Sequence, residues 1–293
     1  MSQASQASQG GKTGWDVRPL EGGTSQTLQA LEAAMQVVAI ASLDPKTCQV
    51  ADRVAEVLAR PELEKFDFIP ARELTPQRKG DRGQIVGVLH RLEAGKQEHG
   101  PDIAADMLVR EAMQPLDESV LISANASLLS YIENADRSPY RLVARGEDII
   151  GIVTPSDLQK FPVRPLLFSA ISAVELLLAE WLRQKYRDED WLAVLSEKRQ
   201  AIIAQRWLDW DRDNTALDLV SVTEFCDKRD AALNLGAFPS KSAARKKLRD
   251  IEWLRHGVMH SGDYALTPEN ARRVSRTMRQ AREAIVILQD ALE

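Results

Sequence analysis

Two of the chain's four histidines fall in one short run, Leu254-Arg-His-Gly-Val-Met-His-Ser-Gly262. Histidine titrates near neutral pH and can take and return a proton, while a guanidinium presents fixed donors that match phosphate oxygens. Arg255, His256 and His260 together suit acid–base chemistry at a phosphate ester. A structural account is open beside it: Arg255 and His256 pair with acids such as Asp250 and Glu252, and His260 caps a helix ahead of Gly262. A second set is Thr154, Ser156 and Asp157, a hydroxyl and a carboxylate three residues apart at a strand-to-helix junction. Such a carboxylate accepts from ribose hydroxyls, and the hydroxyl with nearby helix N–H groups donates to phosphate. The alternative is that Asp157 only caps the short helix at Leu158 and Thr154 ends a strand.

Other chemistries find no support. Gly11-Lys12-Thr13 resembles the end of a P-loop, but Gln6 occupies the required leading glycine and no strand precedes it. There is no HExxH and no Ser-His-Asp set. Cys48 and Cys226 form no CxxC pair and have no histidine at zinc spacing, so no metal is expected and both cysteines read as small buried hydrophobes.

The elements that must hold these residues follow from patterning. Met1 to Thr27 is rich in Gln, Ser, Gly and Thr, which predicts a flexible tail over 1–27 with little structure before Leu28. Glu-Ala-Ala-Met-Gln at 32–36 is echoed at 110–114, and Ile85-Val86-Gly87-Val88-Leu89 is echoed by Ile149-Ile150-Gly151-Ile152-Val153. Amphipathic helices (50–58 and 127–135) and short strands (66–70 and 140–144) lie between the echoes, so residues 28–162 read as two β-α-β-β-α units. From Val163 the strand pattern ends, and Phe168, Ile171, Val174, Glu175, Leu178 and Leu182 form a helical stripe interrupted by one acid. Further helices read at 190–209, 222–234, 240–260 and 268–292, broken by Gly236, Pro239 and Gly262. The fold class is therefore α/β plus all-α, with a helical bundle over 163–293.

The segment Arg141-Leu-Val-Ala-Arg-Gly-Glu-Asp-Ile-Ile-Gly-Ile-Val-Thr-Pro-Ser-Asp-Leu158 closely resembles the cystathionine-β-synthase-type (CBS) motif, with its strand, turn, Gly-Ile-Val-Thr, two residues and Asp-Leu. Residues 29–92 look like a divergent copy that carries His90-Arg91 in place of Thr154-Pro155, so one functional pocket is expected. The resemblance implies an adenine nucleotide (AMP, ADP or ATP) as regulatory ligand, with Thr154, Ser156 and Asp157 at ribose and phosphate and adenine against Ile122, Tyr140 and Arg141. Arg141 is alternatively a plain surface residue.

Arg255, a polar residue, three more and then His260 resemble the signature of HEPN ribonucleases, near the end of the penultimate helix of a domain of matching size. His256 stands at the polar position, where asparagine is more usual. The resemblance implies metal-independent RNA cleavage by 2′-hydroxyl attack to a cyclic phosphate, with His260 as general acid/base, Arg255 as phosphate clamp and His256 assisting. On one helix Arg255 and His260 are about 140° apart, so a homodimer that pairs two motifs is part of the expectation.

Arg272, Arg276 and Arg279 share one face of the last helix opposite Val274, Ala281, Ile285, Leu288 and Leu292. With the cluster around Lys246 they form a candidate RNA track, although a solvated charged face explains them equally. Trp207 and Trp210 read as core. Residues 1–162 carry 17 basic and 23 acidic side chains and residues 163–293 carry 21 and 20, so overall charge does not demand a nucleic-acid partner. No apolar run of ~18–20 residues and no signal-like start is seen, which leads to a cytoplasmic expectation without a membrane partner. The combined expectation is a nucleotide-regulated endoribonuclease of stress or defence. Its alternative is a non-catalytic sensor whose helical domain dimerises or binds RNA or a protein, with the Phe161–Pro165 segment as a stiff coupler.

Overall fold

The computed structural model of the chain describes residues 23–74, 83–91, 107–186, 190–211, 218–260 and 262–293. The Gly11-Lys12-Thr13 run and the tail before residue 23 lie outside the described residues. Helix α1 (Gly23–Ala34) begins inside the stretch expected to be tail, and Leu31 packs against the main core. The Gln-rich composition hid it because only one face of the helix needs apolar residues.

After α1 come β1 (Ser42–Leu43), β2 (Cys48–Gln49), α2 (Val54–Leu58), β3 (Phe68–Glu73) and β4 (Gln84–His90). The second unit supplies α3 (Val109–Ala112), β5 (Gln114–Pro115), β6 (Leu121–Ser123), α4 (Leu128–Asn134), β7 (Arg141–Arg145) and β8 (Asp148–Val153). The two sheets have the orders β2-β3-β4-β5 and β1-β8-β7-β6. Each unit therefore lends a short strand to its partner's sheet. The echoed glycines explain how: a Cβ on Gly87 would lie 2.6 Å from the Gln114 carbonyl oxygen, and one on Gly151 would lie 3.0 Å from that of Ser42. Glycine at these two positions lets the exchanged strand approach to pairing distance. The repeat extends to a register shift at the equivalent place in both units, at Ala71/Arg72 and at Val143/Ala144.

The helical part holds α5 (Val163–Lys185), α6 (Glu197–Asp211), α7 (Phe225–Asn234), α8 (Lys241–Met259) and α9 (Pro268–Leu292). Local signals set the ends of α8 and α9: the Ser240 and Thr267 hydroxyls accept the N–H groups of Ala243 and Asn270, and Pro268 opens α9. Most of the expected stripe of α5 is buried, with Phe168 the exposed exception at 46%. α5 is long and apolar enough to cross a membrane, but 61% of that stretch is buried inside the protein, as in a core helix.

No boundary in the core separates the second unit from the bundle. Leu128, Ile132, Val153 and Leu158 belong to one cluster with Leu166, Val174, Ile251, Met278 and Leu288. Ion pairs reinforce the contact: Arg279 donates to both carboxylate oxygens of Asp136 at 2.8 and 2.6 Å, and Arg282 to Glu133 at 2.6 Å. Hydrogen bonding from Arg279 holds the Asp136 carboxyl below the usual carboxylate range. The expected coupler is thus short, because α5 already starts at Val163 and Pro165 lies in its first turn. The first unit has a separate small core around Cys48, Val57, Ile69 and Leu89. Burial pushes the Cys48 thiol up to about 11, whereas Cys226 is only half-buried, contrary to its reading as a core residue.

Candidate functional site

The turn Pro155–Gln159 follows β8 directly, and its first residues form a reciprocal cap. Thr154 is extended, its N–H donates to Asp157 Oδ2 at 2.6 Å, and its hydroxyl lies 3.1 Å from the same oxygen and 2.7 Å from the Ser156 hydroxyl. Asp157 Oδ1 pairs with Lys160 at 2.7 Å, and Asp157 is only 8% exposed. The structural reading of Asp157 as a cap is therefore realised. Its oxygens are engaged, and a ribose hydroxyl would share them with Thr154 and Lys160.

Thr154, Ser156 and Asp157 line one large cleft of about 940 Å³. Its other walls come from Ser42–Lys46, from Lys65–Phe68 with His90 in the first unit, and from Ala265–Pro268 with Arg272 in the helical part. The cleft is thus a meeting point of all three parts of the molecule. His90 stacks on Phe68 with ring centroids 4.7 Å apart, which presents an aromatic wall.

The expected adenine contacts are located elsewhere. Ile122, Tyr140 and Arg141 are not among the described residues lining the cleft. β6 with Ile122 is at the edge of its sheet opposite β1, and the cleft opens on the β1–β8 side. Tyr140 is 2% exposed and packs behind Phe68 at 4.9 Å, while Arg141 is half-buried in the β7–β8 ladder. Sequence reasoning misses Phe68 and His90, which, with Phe66, are the aromatic side chains in the cleft's lining. Arg91 donates to the carbonyls of Leu58, Leu63 and Phe66 at 3.2, 2.7 and 3.1 Å, so its guanidinium is spent inside the first unit.

In the helical part, Arg255, His256 and His260 occupy the last turns of α8 and its C-terminal cap. His256 and His260 are exposed and their rings are 4.6 Å apart, four residues along one helix face. Arg255 is half-buried, with its Nε donating to Glu175 at 3.2 Å. Glu175, the one acid in the apolar stripe of α5, also receives Lys228 at 3.3 Å. Burial lowers the Lys228 ammonium below the ordinary lysine value, and Glu175 opposes that shift. The acids first considered for Arg255 are taken by others: Asp250 binds Arg273 and Glu252 binds Arg229. Within one chain, then, the two histidines come together and the arginine is paired with Glu175.

The arginine stripe of α9 divides. Arg272 and Arg276 are exposed, but Arg279 is committed to Asp136, so it is not a free phosphate contact. Lys246 is exposed. Trp207 packs on the core, whereas Trp210 is 49% exposed, against its expected core place. Glu224, Cys226 and Asp227 have possible ligand atoms within 4.8 Å of one another, but Glu224 and Asp227 already bind Arg199.

No family model and no curated protein matches the chain. Solved structures are similar to about half of it. The CBS domain of a bacterial CNNM/CorC-family Mg2+ transporter in complex with ATP aligns at 16% identity and TM-score 0.36, covering 50% of this chain and 97% of that one. A hemolysin-like protein of Oenococcus oeni that contains a CBS domain aligns at 16% identity and TM-score 0.35, over 46% and 94% of the two chains. A conserved CBS-domain protein of unknown function from Thermoplasma acidophilum aligns at 18% identity and TM-score 0.33, over 46% and 75%.

Proposed function

We propose that the chain is a CBS-like nucleotide sensor whose cleft binds an adenine nucleotide and thereby regulates a HEPN-like helical domain that cleaves RNA in the cytoplasm during stress or defence. One observation carries the reading: Thr154, Ser156 and Asp157 share a single cleft with Ala265–Pro268 and Arg272, so a bound ligand touches both halves. In the cleavage step the 2′-oxygen attacks phosphorus while the P–O5′ bond breaks, leaving a cyclic phosphate. His260 and His256 take the proton from the 2′-hydroxyl and return one to the 5′-oxygen. No metal is needed in this scheme. Arg255 is the phosphate clamp of this scheme, released from Glu175 when RNA binds, and the active form is a homodimer in which the motifs of two copies face one cleft.

The test incubates the full chain with RNA in EDTA, with and without ATP, beside His260→Ala. The expected result is cleavage to cyclic-phosphate ends that changes with ATP and falls by ~10²–10⁴-fold in the variant. Equal cleavage by His260→Ala would discard the nuclease assignment. The Arg255–Glu175 pair favours a second reading, a sensor whose helical part only dimerises or binds RNA or a protein; an ATP response without cleavage selects it.

A further inference from the structure

We infer that Arg272, a residue of the helical part, forms the phosphate-binding end of the cleft, so that its ligand is a nucleoside di- or triphosphate held from both halves of the molecule. This inference rests on the nucleotide reading above. Arg272 and Pro268, four residues apart on α9, both line the cleft that also contains Thr154 and Ser156. Arg272 is exposed, and among the described residues no acid pairs with it. Of the other arginines of α9, Arg273 is engaged with Asp250, Arg279 with Asp136 and Arg282 with Glu133, and the exposed Arg276 is not among the residues that line the cleft. Arg272 therefore keeps a complete guanidinium fork for a ligand, the geometry that grips a phosphate through two parallel hydrogen bonds.

Charge in the cleft points the same way. Its lining carries the cations Lys46, Lys65, Arg137 and Arg272 against four aspartates. Two of those aspartates are neutralised from behind, Asp136 by Arg279 and Asp157 by Lys160, and neither of these cations lines the cleft. A positive excess remains, which favours a polyanion over a neutral or singly charged nucleoside. Space is available for one: about 940 Å³ is near the upper end of small-molecule sites, ~300–1,000 Å³. The wall that carries Arg272 is also fixed in place, because Gln159 hydrogen-bonds Gly262 and Ala265 just ahead of α9.

Calorimetric titration of the full chain and of Arg272→Gln with adenosine, AMP, ADP and ATP tests this. The wild type is expected to bind ADP and ATP at least ~10-fold more tightly than AMP, and Arg272→Gln to lose ~10-fold or more for ADP and ATP while keeping its affinity for AMP. ATP affinity unchanged in Arg272→Gln overturns the inference and leaves the nucleotide reading standing, and so does a loss of RNA binding alone, which returns Arg272 to an RNA track. Failure of the wild type to bind any of the four overturns the nucleotide reading and this inference with it. Because the side chain is exposed, the thermal melt of the variant is expected to match the wild type, which confirms that binding and not folding was altered.

Discussion

The backbone N–H of Ala265 donates to Gln159 Oε1 at 2.9 Å across 106 positions of sequence, and Gln159 Nε2 returns a bond to the Gly262 carbonyl at 3.3 Å. Gln159 ends the turn that begins with Thr154, and Gly262 lies two residues beyond His260. One amide thus joins the turn that carries Thr154 and Asp157 to the segment that follows the histidine pair.

Replacing that amide tests the route. Gln159→Ala leaves the N–H of Ala265, a fully buried residue, without its acceptor, which costs ~1–3 kcal/mol in urea unfolding. The same variant is expected to bind ATP and yet show no change of RNA cleavage or RNA binding on ATP addition. A full ATP response in Gln159→Ala would place the coupling elsewhere.

The shared core predicts cooperative unfolding of the second unit with the bundle. Leu158 is fully buried in the cluster that includes Val174 and Met278, so Leu158→Ala costs ~2–5 kcal/mol. Tryptophans 181, 191, 207, 210 and 253 all lie in the helical part. Their fluorescence transition therefore shifts to lower urea although the substitution is in the sheet unit. An unshifted transition would show that the two parts unfold independently.

Glu175 sets where Arg255 points and also compensates the buried Lys228. Glu175→Gln removes the charge and keeps the shape, leaving an ammonium that is 8% exposed without its carboxylate. A loss of ~1–3 kcal/mol is expected. Adding Lys228→Met removes the stranded charge, so urea midpoints should place the double variant above Glu175→Gln alone.

Acid stability has a named contributor at the end of α5. Burial pushes the Asp218 carboxyl up, but hydrogen bonds from Arg183 and Ser221 outweigh it and hold the group at about 2, below its ordinary 3.8. Because the folded value is the lower one, the contribution is present above about pH 4 and is lost as pH falls toward about 2. Both side chains are roughly two-fifths exposed, 42% and 44%, so screening limits it to about 1 kcal/mol. Asp218→Asn is expected to be less stable than the wild type by that amount at pH 7, with the gap closing near pH 2.

Much of this architecture is legible in neighbouring residues alone. The bounds of α8 and α9 follow from Ser240, Thr267 and Pro268, because capping and helical period are local properties. The repeated Ile-x-Gly strands announce two similar units for the same reason, and the Thr154–Asp157 cap is encoded within four residues. Which groups meet across the molecule was decided only by tertiary packing. The exchange of β1 and β5, the retreat of Tyr140 behind Phe68, the commitment of Arg279 to Asp136 and the freedom of Arg272 all join residues far apart in the chain. A helix face can be read from its own spacing, but the partner of each side chain on that face depends on how elements dock, and that is set by the summed burial of the whole core.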